Sequence, residues 1–293
     1  MPIYEQTYRR YDGTLRPRFR WMTIVQQEMR ILLSRKLFIF LLLLGNFHLV
    51  LRVIQVFVLD VASKSPYGPL GDIFANTQFE DTGAWVYFDF IRIQTPLLIL
   101  TLIYAGSGLI CNDFRNNLME IYFSKPMNWR DYVMGKTMTL VAVGMSITAL
   151  PALALGGMHV LFVPTLTELK STLLLAIPTI GFPLIVVGSI SLTVLASSAL
   201  INSSRFAGIA IFLFGSINIT FGILLAALAQ EQNYLALAFP ISLNYLGEIM
   251  FQEDRYPLPI TIGWFWAALF VAAISGVALA IICRKVRAAE VGQ

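Results

Sequence analysis

Gly135-Lys136-Thr137 is the first place in this chain where residue types and spacing suggest chemistry. A Gly-Lys-Thr triplet closes the phosphate-binding loop of many nucleotide-hydrolysing proteins, but that loop needs another glycine five residues earlier, after a strand. Position 130 is Arg and no strand pattern precedes it, so the triplet carries no nucleotide site. His48 and His159 lie in different apolar runs and neither belongs to an H-E-x-x-H pattern. A packed or interface-facing imidazole is the default for such residues, ahead of a metal site. Asn202-Ser203-Ser204 and Asn218-Ile219-Thr220 fit the glycosylation acceptor pattern, yet the first falls in a short inner loop and the second within an apolar run. No paired-carboxylate, Ser–His or zinc arrangement of an intramembrane enzyme is present.

The remaining chemistry-bearing residues are charges inside or beside apolar runs. Arg52 sits in the outer half of the first run, Arg92 enters the second from the same side, and Asp60 and Asp89 lie at similar depth. An intramembrane charge is a functional hypothesis by default. The plainer account is an ion-paired or snorkelling cluster near the outer interface, and the few turns separating both arginines from water favour it.

These residues are held by a membrane architecture. Only 13% of the chain is charged and 57% is hydrophobic, with a mean hydropathy of +0.71, whereas soluble proteins carry about a quarter charged residues. The solvent must be partly lipid. The pI of about 9.1 does not signal nucleic acid, because the net charge is only +4 and the basic residues sit in short blocks beside apolar runs. A crossing helix needs about 20 apolar residues, and such runs occur at 37–59, 90–111, 137–163, 172–201, 206–230 and 260–283. Pro178 and Pro183 predict a kink, or a short break, in the fourth. The expected fold is all-α: a single membrane domain of six transmembrane helices, with residues 1–36 and 284–293 as polar tails.

Orientation follows from lysine and arginine. With both termini inside, 16 of the 21 basic residues fall in inner segments and three in outer loops, which matches the positive-inside rule for a multi-pass protein of the plasma (inner) membrane. Cys111 and Cys283 then lie at the inner boundary and read as free thiols on the reducing side. The opening 36 residues are polar and Arg-rich, unlike a cleavable signal peptide.

Three segments are not spans. Residues 19–36 read as an amphipathic elbow helix in the membrane interface, with Met22, Val25, Met29, Leu32 and Leu33 on its apolar side. In the loop 112–136, Phe114, Leu118, Ile121 and Tyr122 can share one face of a short helix while Arg115, Asn116 and Glu120 turn elsewhere. Pro126 stops it and Asn128 is placed to cap the next span. This is either a lever on which a soluble partner could push or a solvated connector. On the outer side, the apolar island 234–246, interrupted by Pro240, suits a re-entrant pair of half-helices before the last span.

Taken together these features resemble the permease subunit of a type-2 ATP-binding cassette (ABC) exporter. Such permeases have an elbow helix, six spans, a coupling helix between spans two and three, a re-entrant segment before span six and a short basic tail. Glu120, Ser124, Pro126, Tyr132, Gly135 and Lys136 match the family's coupling-loop pattern in order and spacing. Asn117-Leu118 stands where the family often has Gly-Thr; Asn tolerates left-handed backbone, but the Thr cap is lost. The resemblance implies that this chain is no enzyme, holds no cofactor or metal, forms the path for cargo as one of two permeases (homo- or heterodimer), and uses ATP and Mg bound in a separate ABC ATPase subunit. It also implies that Phe114, Arg115, Leu118, Glu120, Ile121 and Tyr122 face that ATPase. The alternative is a secondary carrier, which commonly needs a carboxylate deep in the membrane; none of the 17 acidic residues lies mid-span.

Overall fold

The computed structural model describes residues 19–64, 84–124, 127–162, 170, 172–252 and 257–291, with the side chains of 56–64, 159, 161, 162 and 291 outside that description. Every regular element among them is helical. Six stretches are long and apolar enough to cross a membrane: Lys36–Gln55, Ala84–Arg115, Trp129–Met158, Thr172–Leu200, Ser204–Ala229 and Trp264–Glu290. The protein is therefore an all-α polytopic membrane protein. Cys111 and Cys283 are free thiols.

Helix α1 (Arg20–Leu33) precedes the first long helix, α2 (Lys36–Lys64), and lies along the start of α6 (Trp129–Ile147). The face it packs only partly coincides with the stripe expected from apolar spacing: Leu32 and Met29 belong to both. Ile24, Glu28 and Leu32, spaced four apart, are its buried residues, while Met22 and Leu33 are exposed. Apolar residues on an interfacial helix face lipid as readily as protein, so hydropathy did not identify the docking face. Gly135 permits the close approach: a Cβ there would stand 2.8 Å from Ile24 Cβ and 3.0 Å from the Trp21 carbonyl oxygen.

Helix α8 (Ala176–Leu200) forms the centre of the bundle, packed by α3 (Ala84–Gly106), α6, α9 (Ser204–Ala229) and α11 (Trp264–Val291). Its Phe182, Val186, Val187, Val194 and Leu195 are buried. Helix α9 is the opposite case, with only Ala207 and Gly222 buried along it. The fourth span runs continuously through Pro183, and its short interruption falls earlier, at Leu175.

The third span breaks where the sequence reading placed one continuous helix. Helix α6 ends at Ile147, α7 (Ala149–Phe162) starts two residues later, and Thr148 between them has φ −107 and ψ −72. Pro151 has no N–H to return to the carbonyl of Ile147, four residues back. The side chain of Gln94, midway along α3, does so instead: Nε2 donates to the Ile147 oxygen at 2.8 Å and to the Gly45 oxygen at 2.7 Å. With its amide nitrogen committed to two carbonyls, Gln94 presents Oε1 to His48 Nδ1 at 2.9 Å, so Nδ1 is the protonated nitrogen. The His48 ring stacks on Phe90 at 4.8 Å. One buried amide thus ties the first three spans together.

At the far end of the bundle from α1, the chain leaves α9 and doubles back beside it as a 3₁₀ helix, Gln232–Leu237, before α10 (Phe239–Phe251) returns. Asn218, well inside α9, holds the bend: its Nδ2 donates to the Leu237 oxygen and its Oδ1 accepts the Phe239 N–H. Ala238 rests against Gly222, where a Cβ would come within 2.8 Å. The joint lies about 10 Å or more below the end of α9 at 1.5 Å per residue, which is the geometry of a re-entrant pair. Pro240 sits in the first turn of α10, where a missing N–H is harmless, so it starts the second half-helix.

Candidate functional site

The segment between the second and third spans is built on unsatisfied backbone. Helix α3 ends at Gly106, and residues 107–110 turn before α4 (Cys111–Arg115) begins. Ser198, from the end of α8, serves that turn: its Oγ accepts the Ile110 and Cys111 N–H groups, each at 3.1 Å, and donates to the Ser107 oxygen at 2.9 Å. A second turn separates α4 from α5 (Leu118–Phe123). Asn117 occupies the left-handed region there, with φ 53 and ψ 29, the conformation Asn tolerates better than most residues.

That turn alters the expected coupling segment. A single helix over 114–122 would place Phe114, Leu118, Ile121 and Tyr122 on one face. Two short helices meeting at Asn117 divide them instead. Met119 is buried and Ile121 is 56% exposed, beside exposed Arg115, Asn116 and Glu120. Leu118 is half-buried. Phe114 packs against the core with the Lys285 ammonium 5.4 Å over its ring. Tyr122 turns inward onto Tyr132, ring to ring at 5.4 Å. Phe114 and Tyr122 thus support the segment from within, and Glu120 and Ile121 form its outer tip. Asn128, at the N-cap of α6, has extended backbone, and its N–H bonds to Asp131 Oδ2 at 3.4 Å. Pro126, expected to end the segment, lies outside the described residues.

Behind this tip is a buried ionic centre. Lys136 Nζ is 2.6 Å from Glu28 Oε1 and 2.6 Å from Asp113 Oδ2, and its side chain is fully buried. The Tyr132 hydroxyl donates to the same Asp113 oxygen at 2.7 Å. The rings of Tyr132 and Tyr122 flank the ammonium at 5.4 and 5.8 Å. Burial pushes the Tyr122 phenol above its ordinary value, against the pull of the Lys136 charge, so the ring presents its neutral face to the cation. Four separate elements (α1, α4, α5 and α6) meet at one lysine. A buried charge is retained only when paired and hydrogen-bonded, so the two ion pairs tie α1 and α4 to α6, and α5 packs on that centre through the Tyr122 ring. Glu28 and Asp113 were not singled out by sequence. For Glu28 the available signal was a carboxylate at four-residue spacing between apolar Ile24 and Leu32; Asp113 stands among the polar residues Asn112 and Arg115 and gave no such signal.

The charge cluster at the other end also forms. Arg52, with its side chain 8% exposed, pairs with Asp89, and its Nη1 donates to Gln55 Oε1 at 3.1 Å. Arg92 reaches the other Asp89 oxygen at 3.2 Å and lies 6.0 Å over Phe88. Asp89 is therefore the partner of Arg52; the side chain of Asp60, the other candidate, lies outside the described residues, as does that of His159. Two cations on one carboxylate, one buried and one half-exposed, form an ion-paired cluster. Among the described residues no group of three or more His, Cys, Asp or Glu could hold a metal ion. No family model and no curated protein matches the sequence.

Proposed function

We propose that this chain is the membrane subunit of an ATP-driven exporter of the type-2 ABC class, one of two permeases, lying in the plasma membrane with both termini cytoplasmic. The supporting observation is the lever: a short helix, α5, whose exposed tip carries Glu120 and Ile121 and whose inner side is fastened to two spans and the elbow helix through Tyr122, Tyr132 and Lys136. A partner pressing on the tip moves spans rather than a loose loop. The charge bias, 16 of 21 basic residues on the side that carries this tip, supports a cytoplasmic position for it, where an ATPase and its nucleotide are available. The tip then docks in a groove of the ATPase, with Ile121 as the apolar anchor and Glu120 and Arg115 as rim charges.

The test is co-purification of the chain with the ATPase produced beside it, together with transport-linked hydrolysis. Ile121→Asp should reduce capture and coupled hydrolysis about tenfold or more, as loss of a central apolar anchor does. Glu120→Gln should act more weakly and in a salt-dependent way. Both variants should keep the parent's thermal stability, because neither side chain packs inside the chain. Full transport without any ATPase, or with α5 replaced by a Gly-Ser linker, would reject the reading in favour of a secondary carrier.

A further inference from the structure

Beside the ionic centre lies a cavity of about 840 Å³ between α1, the end of α3, the turn into α4 and the start of α9. Its two ends differ in chemistry. Arg35 and Arg205 line one end, and among the described residues neither is ion-paired. Glu28 and Asp113 also line it, but their charge is taken up by Lys136 behind the wall, which leaves the two arginines as the charges open to a ligand. Toward the other end the lining is Leu100, Ile209 and Phe212, which are 55%, 53% and 64% exposed. Arg205 begins α9, and Phe212 is seven residues further along, about 10 Å deeper at 1.5 Å per residue.

From this we propose that the cavity binds an anionic amphiphile from the adjoining leaflet, with its acidic head group between Arg35 and Arg205 and its chain along Leu100, Ile209 and Phe212. The separation of charge from apolar wall matches the step from head group to acyl chain. A soluble anion would leave the apolar end without contacts, and an uncharged lipid would leave the arginines without counter-charge. The juxtaposed leaflet supplies such molecules, because clusters of basic residues at a membrane surface concentrate anionic lipid. Binding is a property of this chain alone, so its failure and the failure of the exporter reading are separable.

The experiment is native mass spectrometry of the full chain released from nanodiscs containing equal phosphatidylglycerol and phosphatidylcholine. The parent should retain one phosphatidylglycerol per chain at least tenfold over phosphatidylcholine. Arg35→Gln with Arg205→Gln should abolish that preference, whereas Arg35→Lys with Arg205→Lys should keep most of it. Both side chains are exposed, so the melting temperature should not move. Equal retention of the two lipids by the parent, or an unchanged preference in the Gln variant, overturns the proposal. So does displacement of the lipid by inorganic phosphate at millimolar concentration, which marks a site for a soluble anion. Loss of retention on dimerisation likewise overturns it, since a second copy would then be the occupant.

Discussion

Replacing Lys136 by Met removes the one cation that Glu28 and Asp113 share, while nearly preserving side-chain length and apolar contact. Lys136 is fully buried, and the side chains of Glu28 and Asp113 are 11% and 8% exposed. Asp113 would keep the Tyr132 hydroxyl at 2.7 Å, but Glu28 would keep no cationic partner among the described residues. Breaking a buried pair by removing one partner costs about 3–5 kcal/mol. At roughly 2–4 °C per kcal/mol for a chain of this class, the melting temperature should fall on the order of 10 °C. The triple variant Lys136→Met, Glu28→Gln, Asp113→Asn removes all three charges and should recover more than half of the loss, because the penalty belongs to the stranded carboxylates. Scanning fluorimetry of detergent-solubilised protein reads both, and hydrogen exchange should show α1 released in the single variant. If Lys136→Met melts within about 2 °C of the parent, or if the triple variant is as unstable as the single, the ionic centre does not fasten α1 and α5 to α6.

Three further outcomes follow from the same geometry. Gln94→Leu strands the Ile147 carbonyl, a loss of about 1–3 kcal/mol; Pro151→Ala restores an N–H four residues on, so Gln94→Leu should cost less in that background, and equal costs in both would refute the link. Asp89→Asn leaves Arg52 buried without its carboxylate and should destabilise more than Arg52→Leu combined with Asp89→Leu, as measured by melting temperature; if instead Arg52→Gln folds normally and stops transport, the cluster belongs to the cargo path. With both native cysteines replaced, a membrane-impermeant thiol reagent on intact cells should label Asp72→Cys or Glu253→Cys but not Arg284→Cys, and labelling of the last would overturn the charge-based orientation.

The six spans were legible in the chain because an apolar run of about 20 residues is a local property, counted without knowing any neighbour. The elbow helix, the break in the island 234–246 and the left-handed tolerance of Asn117 were legible for the same reason: each depends on adjacent residues. Which faces meet was not. In a bilayer the solvent is as apolar as the protein interior, so hydropathy separates membrane from water but not lipid-facing side chains from packed ones. The apolar stripe of α1 thus included Met22 and Leu33, which are exposed, along with Leu32, which packs, and it missed Ile24 and Glu28, which are buried beside Leu32. The polar ties were hidden too, since Lys136 finds Glu28 108 residues away and Gln94 finds the Ile147 carbonyl 53 residues away. Only the tertiary structure brings such groups together. Without water, a buried ammonium or an orphaned carbonyl takes whichever partner the packing delivers.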